Sequence, residues 1–344
     1  MPRQPRIEYP GAIYHVMARG NCRGPIVLSD TDRERFVETL AEACQKAAWE
    51  VYAWVLLDNH YHLALRTPAG NLVEGMKWFQ NTYTRRFNTR HHQWGHLYGG
   101  RYKSILVDGE GRPGEPDYLA TLVDYIHLNP VRARLVSTGD NLGLISYPWS
   151  SLASAYAIAP SKRDAWTDVG YGMGLFGLKD TVAGRRKMIA RLEERAAEEK
   201  ASRCGLTEIE GASLQSTLRR GWYWGGQGFR ERLEKLTPKM KNRTYRSSAL
   251  GRDAGIVDAT EILHRAEKHF GLGKGELMKL PRGDVRRAAI GWAIHRRCCT
   301  SLSWVAEQLN LSSAANASQQ IRRFDVRKTN SLPKDIRAWK KLMS

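Results

Sequence analysis

The sequence has no run of about 18 apolar residues, the length a bilayer-spanning helix requires, and no charged-then-apolar N-terminal stretch of the signal-peptide kind. Cysteine is scarce: Cys22, Cys44, Cys204, Cys298 and Cys299 form no CxxC pair and no disulfide-like spacing. This argues against a thiolate zinc centre and fits a reducing compartment. No GxxxxGK[ST] phosphate loop occurs, so a helicase-type nucleotide site has no sequence support. Acidic residues are outnumbered, 35 Asp and Glu against 54 Lys and Arg, leaving a formal charge of +19. The excess is uneven: residues 1–200 hold 26 basic and 22 acidic side chains, and residues 201–344 hold 28 and 13. A field of that sign draws nucleic acid or an anionic membrane surface. Without a lipid-inserting segment, nucleic acid is the expected partner and no membrane is.

At 344 residues the chain exceeds one typical domain. Strand and helix signals alternate at the start. IYHVMA (13–18) reads as a short strand, and a helix follows with Ser29 or Asp30 as N-cap and Phe36, Leu40, Ala43 and Ala47 on one face. VYAWVLL (51–57) and HYHLALR (60–66) are β-rich runs joined by Asp58-Asn59, a hairpin-type turn. The stretch 71–90 predicts a helix with a basic end, and 96–108 a further strand. The helix over 117–128 carries Leu119, Leu122, Val123 and Ile126 as one stripe and is expected to stop at Asn129-Pro130. The order β-α-β-β-α-β-α matches an α+β fold, a ferredoxin-like split βαβ antiparallel sheet with helices packed on one face.

Further along, YPWSSLASAY suggests packing against this first unit, and residues 180–201 predict a charged helix. RGWYWGGQGFRERLEKL (220–236) fits equally a nucleic-acid-contacting loop or a hydrophobic docking patch. From 256 onward four short amphipathic helices follow, of which SLSWVAEQL and SAANASQQIRRF are spaced as the support and the reader of a helix-turn-helix. The expected division is a catalytic domain at 1–160, a helical and basic-aromatic connection at 161–250, and an all-α DNA-binding domain at 251–344.

Two histidines in LLDNHYHLAL (56–65) carry the first chemical signal. Residues i and i+2 of a strand share a face, so His60 and His62 project side by side while Tyr61 points the other way. Two imidazoles so placed can grip one cation, although structural roles are commoner. On the later helix Tyr125 and Asn129, four apart, share a face. An Asn carbonyl could supply a third, oxygen ligand and leave positions open, as a catalytic metal requires. Mg²⁺ or Mn²⁺ is the expected ion. A tyrosine beside a cation can act as a phenolate nucleophile on phosphorus, yet by spacing alone a core tyrosine and a helix-end asparagine explain the pair as well.

IYHVMARGN (13–21), LLDNHYHLAL (56–65), GHLYGGRYKSILVD (95–108) and DYIHLNPVRARLV (124–136), in this order, resemble the single-tyrosine HUH transposases, specifically the REP-associated tyrosine transposases. The resemblance spans roughly residues 8–160. It implies that His60 and His62 bind the metal, that Tyr125 is the nucleophile and that Asn129 completes the metal shell. Tyr61 is a mild departure from the usual bulky hydrophobic residue, and Tyr118, one helical repeat back, is the other candidate nucleophile. The implied activity is metal-dependent nicking and strand transfer on single-stranded DNA at imperfect palindromic hairpins, through a 5′-phosphotyrosine link and a free 3′-OH. Arg19, Arg85, Arg86, Arg101, Lys103, Arg132 and Arg134 are expected along the DNA path. The C-terminal segment resembles, more loosely, the DNA-binding domain of the replication initiator DnaA. That implies a reader helix presenting Ser318, Gln319, Arg322 and Arg323 to duplex DNA. A cytoplasmic, nucleoid-associated bacterial protein is expected, as homodimer or monomer. A domesticated, non-catalytic DNA-binding regulator and a rolling-circle initiator are the alternatives.

Overall fold

The computed structural model describes residues 7–110, 116–136, 143–202, 222–241, 247–273, 275–281 and 283–343. Its first half runs β1 (Ala12–Arg19), α1 (Asp30–Ala47), β2 (Glu50–Leu56), β3 (His60–Thr67), α2 (Leu72–His91), β4 (Lys103–Val107), α3 (Tyr118–His127) and α4 (Asn129–Arg132). There follow α5 (Val169–Gly174), α6 (Val182–Ser202), β5 (Tyr223–Trp224) and α7 (Gln227–Lys241). The C-terminal part is helical: α8 (Ser247–Phe270), α9 (Val285–Arg297), α10 (Leu302–Gln308), α11 (Ala314–Asp325) and α12 (Lys334–Met343).

The strand order β2-β3-β1-β4 is that of a split βαβ sheet, antiparallel throughout, and β5 is added in parallel beside β4. Alternation along β1 separates two cores. Ala12, Tyr14, Val16 and Ala18 face α1 and α2, packing with Phe36, Leu40, Phe79 and Tyr83. Ile13 and Met17 face the opposite side with Leu119, Leu122, Val123 and Ile126 of α3 and Met188 and Leu192 of α6. The expectation of helices on one face therefore holds for the two crossover helices only. A sheet with apolar side chains on both faces must be covered on both.

Local signals account for several boundaries. Ser29 is the N-cap of α1, its hydroxyl accepting from the Asp32 amide at 3.3 Å. The Leu57 amide closes the Asp58-Asn59 hairpin on the His60 carbonyl at 2.8 Å. The strand expected over 96–108 is confined to Lys103–Val107, because Gly99-Gly100 breaks the extension, Gly100 at φ +141°. At Asn129-Pro130 the chain does not leave the helical region: Leu128 stays αR and Pro130 sits in the first turn of α4, where its missing N–H costs nothing. Trp149 and Tyr147 bond the edge of β2, the Leu56 amide donating to the Trp149 carbonyl at 3.0 Å and the Tyr147 hydroxyl to the Leu56 carbonyl at 2.7 Å.

The aromatic stretch at 220–236 resolves toward docking. Leu106 and Asp108 amides donate to the carbonyls of Trp222 and Trp224 at 3.1 and 2.9 Å, Trp224 enters the α3-side core, and Phe229 and Leu233 enter the other. The segment so wraps the β4 edge, which would otherwise present unpaired backbone groups. The C-terminal helices surround a third core that includes Ile290, Trp292, Ile321, Phe324 and Trp339. Beyond the four helices expected from the sequence, α12 adds a fifth, with Ile336, Trp339 and Met343 as its buried stripe. No helix among the described residues is long and apolar enough to cross a membrane.

Truncating Trp224, 6% exposed, should cost about 3–5 kcal/mol, the usual range for a buried aromatic. Hydrogen exchange on Trp224→Ala should show the Leu106 and Asp108 amides losing protection, and unchanged protection there would contradict β5 as the strand that completes the sheet.

Candidate active site

The β1–β3 register sets Arg19 opposite His60 and Met17 opposite His62, and β4 brings Lys103 opposite Met17. Both histidines therefore lie on the α3 face of the sheet. Their rings are 5.1 Å apart between centroids, close to the roughly 5 Å expected when two imidazoles bind one ion through nitrogen bonds of about 2.0–2.1 Å. His60 Nδ1 donates to Asn59 Oδ1 at 2.6 Å, turning Nε2 away from that partner. Tyr61 points to the other core against Phe36 and Phe79, its hydroxyl accepting from Gln80 Nε2 at 3.0 Å.

Tyr125 meets this pair from α3. Its half-buried ring lies 5.7 Å from that of His62 and 5.9 Å from that of His15, edge-on to both. His15 is a site residue the sequence reading did not nominate. It was present in IYHVMARGN, but only the strand register shows that its ring meets that of His62 edge to edge, with centroids 5.1 Å apart. The Arg132 guanidinium carbon sits 4.7 Å from the centre of the Tyr125 ring, and its Nη1 donates to the Tyr125 carbonyl at 3.0 Å. Asn129 is buried, and its Nδ2 donates to the same carbonyl at 2.8 Å, so its Oδ1 is the atom left to serve as ligand. Tyr118 lies at the other end of α3, its ring 5.5 Å from Trp224.

Burial and neighbouring cations keep these imidazoles neutral. Burial, then Lys103, lowers His15 to about 3; burial, then Arg19, lowers His60 to about 4. His62 is held well below the usual histidine range by burial first, then by His15, His60, Arg19 and Arg132. Neutral rings offer lone pairs, which is the state a metal ligand needs. Among the described residues no three His, Cys, Asp or Glu side chains surround a common point, so a cation here would rely on His60, His62 and the Asn129 amide, with substrate or solvent oxygens filling the rest. That donor set suits a divalent cation bound with open positions.

The remaining nominated cations divide by location. Arg19 and Lys103 act electrostatically on the histidines, and Arg101 and Arg134 are exposed, Arg134 with φ +58°. Arg86 is not brought to the site: on α2, across the sheet, it bonds Thr39 Oγ1 at 2.6 Å and Glu42 Oε1 at 2.9 Å, tying α2 to α1. Arg85 is on that same helix, exposed on the far side of the sheet from Tyr125. Ser318, Gln319, Arg322 and Arg323 are all exposed on α11, while Ala317, Ile321 and Phe324 face the bundle.

Residues 9–128 match the family model described as "Transposase IS200 like". Over this segment, about a third of its length, the chain is similar to the IS200-like transposases. The match takes in His15, His60, His62 and Tyr125 and ends one residue before Asn129. The fold is also loosely similar to a solved structure of a REP-associated tyrosine transposase bound to a REP hairpin. There the identity is 16%, the similarity covers 49% of this chain and 93% of that one, and the TM-score is 0.36. No curated protein is significantly similar to the chain.

Folding of this segment is linked to protonation with a definite sign. The unfolded chain takes up protons on histidine below about 6.5, whereas burial keeps His15 and His127 neutral in the folded chain down to about 3. The unfolded state binds the extra protons, so stability is full above about pH 6.5 and falls as pH drops toward the folded values. The thermal midpoint of the metal-free protein should decline between pH 7 and 5. In His127→Gln, which retains a partner for Ser151 Oγ, now 2.9 Å from His127 Nε2, the decline should be shallower. An equal slope in wild type and variant would contradict the linkage.

Proposed function

We propose that the protein is a metal-dependent single-stranded DNA nickase and strand transferase that acts at palindromic, REP-type hairpins with Tyr125 as nucleophile. The observation that carries this reading is the approach of a half-buried phenol to a neutral histidine pair, its ring 5.7 Å from that of His62. His60, His62 and Asn129 would hold Mg²⁺ or Mn²⁺. When bound, the ion would stabilise phenolate and draw charge from the scissile phosphate.

The chain's own residues supply the rest. Arg132, against the Tyr125 ring, favours the phenolate electrostatically and restrains the ring. Arg19, Lys103, Arg101 and Arg134 offer phosphate contacts that fix register without reading sequence. The phenolate oxygen forms a bond to phosphorus as the P–O3′ bond breaks. The 5′ phosphate stays on Tyr125, and the departing 3′ oxygen takes up a proton. Attack by a 3′-OH on the phosphotyrosine reverses the step, reseals or recombines the strand, and frees the phenol. With one such tyrosine per chain, full excision requires two subunits or two successive rounds.

Incubation with Mn²⁺ and single-stranded hairpin DNA from the gene's own neighbourhood should give a covalent adduct that survives a denaturing gel. Tyr125→Phe and His60→Ala should abolish it. An adduct kept by Tyr125→Phe, or tyrosine found on a 3′ phosphate, would overturn the assignment.

The C-terminal bundle is assigned to duplex DNA, with α10 as support and α11 as reader. The exposed side chains of α11 and the 28 basic residues beyond position 200 support this. Removing one phosphate-contacting arginine should reduce the slope of log affinity against log salt by about 1. Titrations of Arg322→Ala and Arg323→Ala on duplex DNA test it, and slopes equal to wild type in both would remove α11 from the interface.

A further inference from the structure

We infer that His15 is a positioning residue that holds His62 in the tautomer able to bind a cation, an inference that rests on the metal site proposed above. His15 Nε2 and His62 Nδ1 are 2.9 Å apart and both rings are buried. Neutral imidazole has one N–H and one lone pair, so only one of these nitrogens carries the shared proton. If His15 Nε2 donates, His62 must carry its own hydrogen on Nε2 and offers the open site no lone pair. If His62 Nδ1 donates, its Nε2 lone pair is free to bind, and the hydrogen of His15 moves to Nδ1.

The second arrangement is the one that makes the two proposed ligands alike. The neighbouring ligand is driven to the same tautomer: Asn59 Nδ2 donates to the Arg23 carbonyl at 3.1 Å, which fixes the amide with Oδ1 toward His60. An amide oxygen only accepts, so His60 Nδ1 carries hydrogen and Nε2 the lone pair. Both rings then present the same atom. His15 itself is not a third ligand, because its inward nitrogen is engaged by His62. Its Nδ1 is buried with no partner among the described residues. On a strand face otherwise made by Ile13 and Met17, an apolar side chain would avoid that orphan, so stability alone does not explain a histidine here. Partners of this kind, behind a ligating histidine, set ring orientation and tautomer.

The test uses the full chain and Mn²⁺ alone. In the metal-free wild type, ¹⁵N shifts should report His62 as the Nδ1–H tautomer. His15→Leu should weaken Mn²⁺ binding by about 10–100-fold in calorimetry, with a thermal midpoint unchanged or raised. His15→Gln, whose amide oxygen accepts from His62 Nδ1, should recover most of the affinity. If His62 is Nε2–H in the wild type, or if His15→Leu binds Mn²⁺ as tightly as wild type while His60→Ala does not bind, the role of His15 is overturned and the metal site stands. If wild type and His60→Ala bind Mn²⁺ equally, the metal site itself falls and this inference with it.

Discussion

The antiparallel register of β1 on β3 is the constraint from which the rest of the histidine face follows. With Met17 opposite His62, the histidines share a face with His15 and Arg19, and Tyr61 enters the α1–α2 core. Side chains on a strand alternate with a period of two, so a slip of one residue would bury both histidines under α1 and expose Tyr61 to α3. The aromatic cluster of Phe36, Tyr61, Phe79 and Tyr83 resists that slip, since fully burying one such ring is worth roughly 1.5–3 kcal/mol. The apolar core on one side thus determines which chemistry appears on the other.

The second determinant is the roll of α3 about its axis. Asp124, adjacent to the tyrosine, is fully buried and bound by Arg191 Nη1 at 2.9 Å and Arg195 Nη1 at 2.5 Å, both from α6. Removing those arginines would leave a buried carboxylate unpaired, a state worth about 3–5 kcal/mol of destabilisation. His127 is held through Ser151, whose hydroxyl also accepts from the Trp54 amide at 2.9 Å and so ties α3 to β2. With positions 124 and 127 fixed to protein, the 100° step of the helix leaves Tyr125 directed at the histidines. Because α6 lies beyond residue 128, part of what aims Tyr125 is outside the stretch that matches the transposase family model.

Much of this was legible because it is local. Period-two alternation in 60–66, the Asp58-Asn59 turn and the Ser29 cap are short-range signals, and the structure follows them. The residue types of the site, two histidines and a tyrosine four before an asparagine, could be read from spacing and from the resemblance. What could not be read were consequences of long-range pairing. His15 joins His62 across 47 residues, Arg191 reaches Asp124 across 67, and Trp222 to Trp224 complete a strand ladder begun over a hundred residues earlier. Arg86 shows how a partner stays hidden in the sequence. Its basic character fitted a DNA path, but the α1–α2 packing spends it on Glu42. Charge is visible in a sequence, whereas the partner that uses it depends on the fold.

The C-terminal bundle docks on α1 and α2. Cys299, just after α9, packs on the α1–α2 core, and Gly255 of α8 has no room for a side chain, since a Cβ there would come within 2.9 Å of the Cys299 carbonyl oxygen. Lys46, 6% exposed at the end of α1, lies 5.0 Å from the centre of the Trp78 ring and is lowered to about 8, chiefly by burial. An amine so desolvated remains tolerable because its head lies over the ring face. The bundle therefore rests on the face of the sheet opposite Tyr125. Any DNA engaged by both α11 and the histidine face has to pass around a sheet edge. Both edges are capped, by Trp149 and Tyr147 at β2 and by β5 at β4.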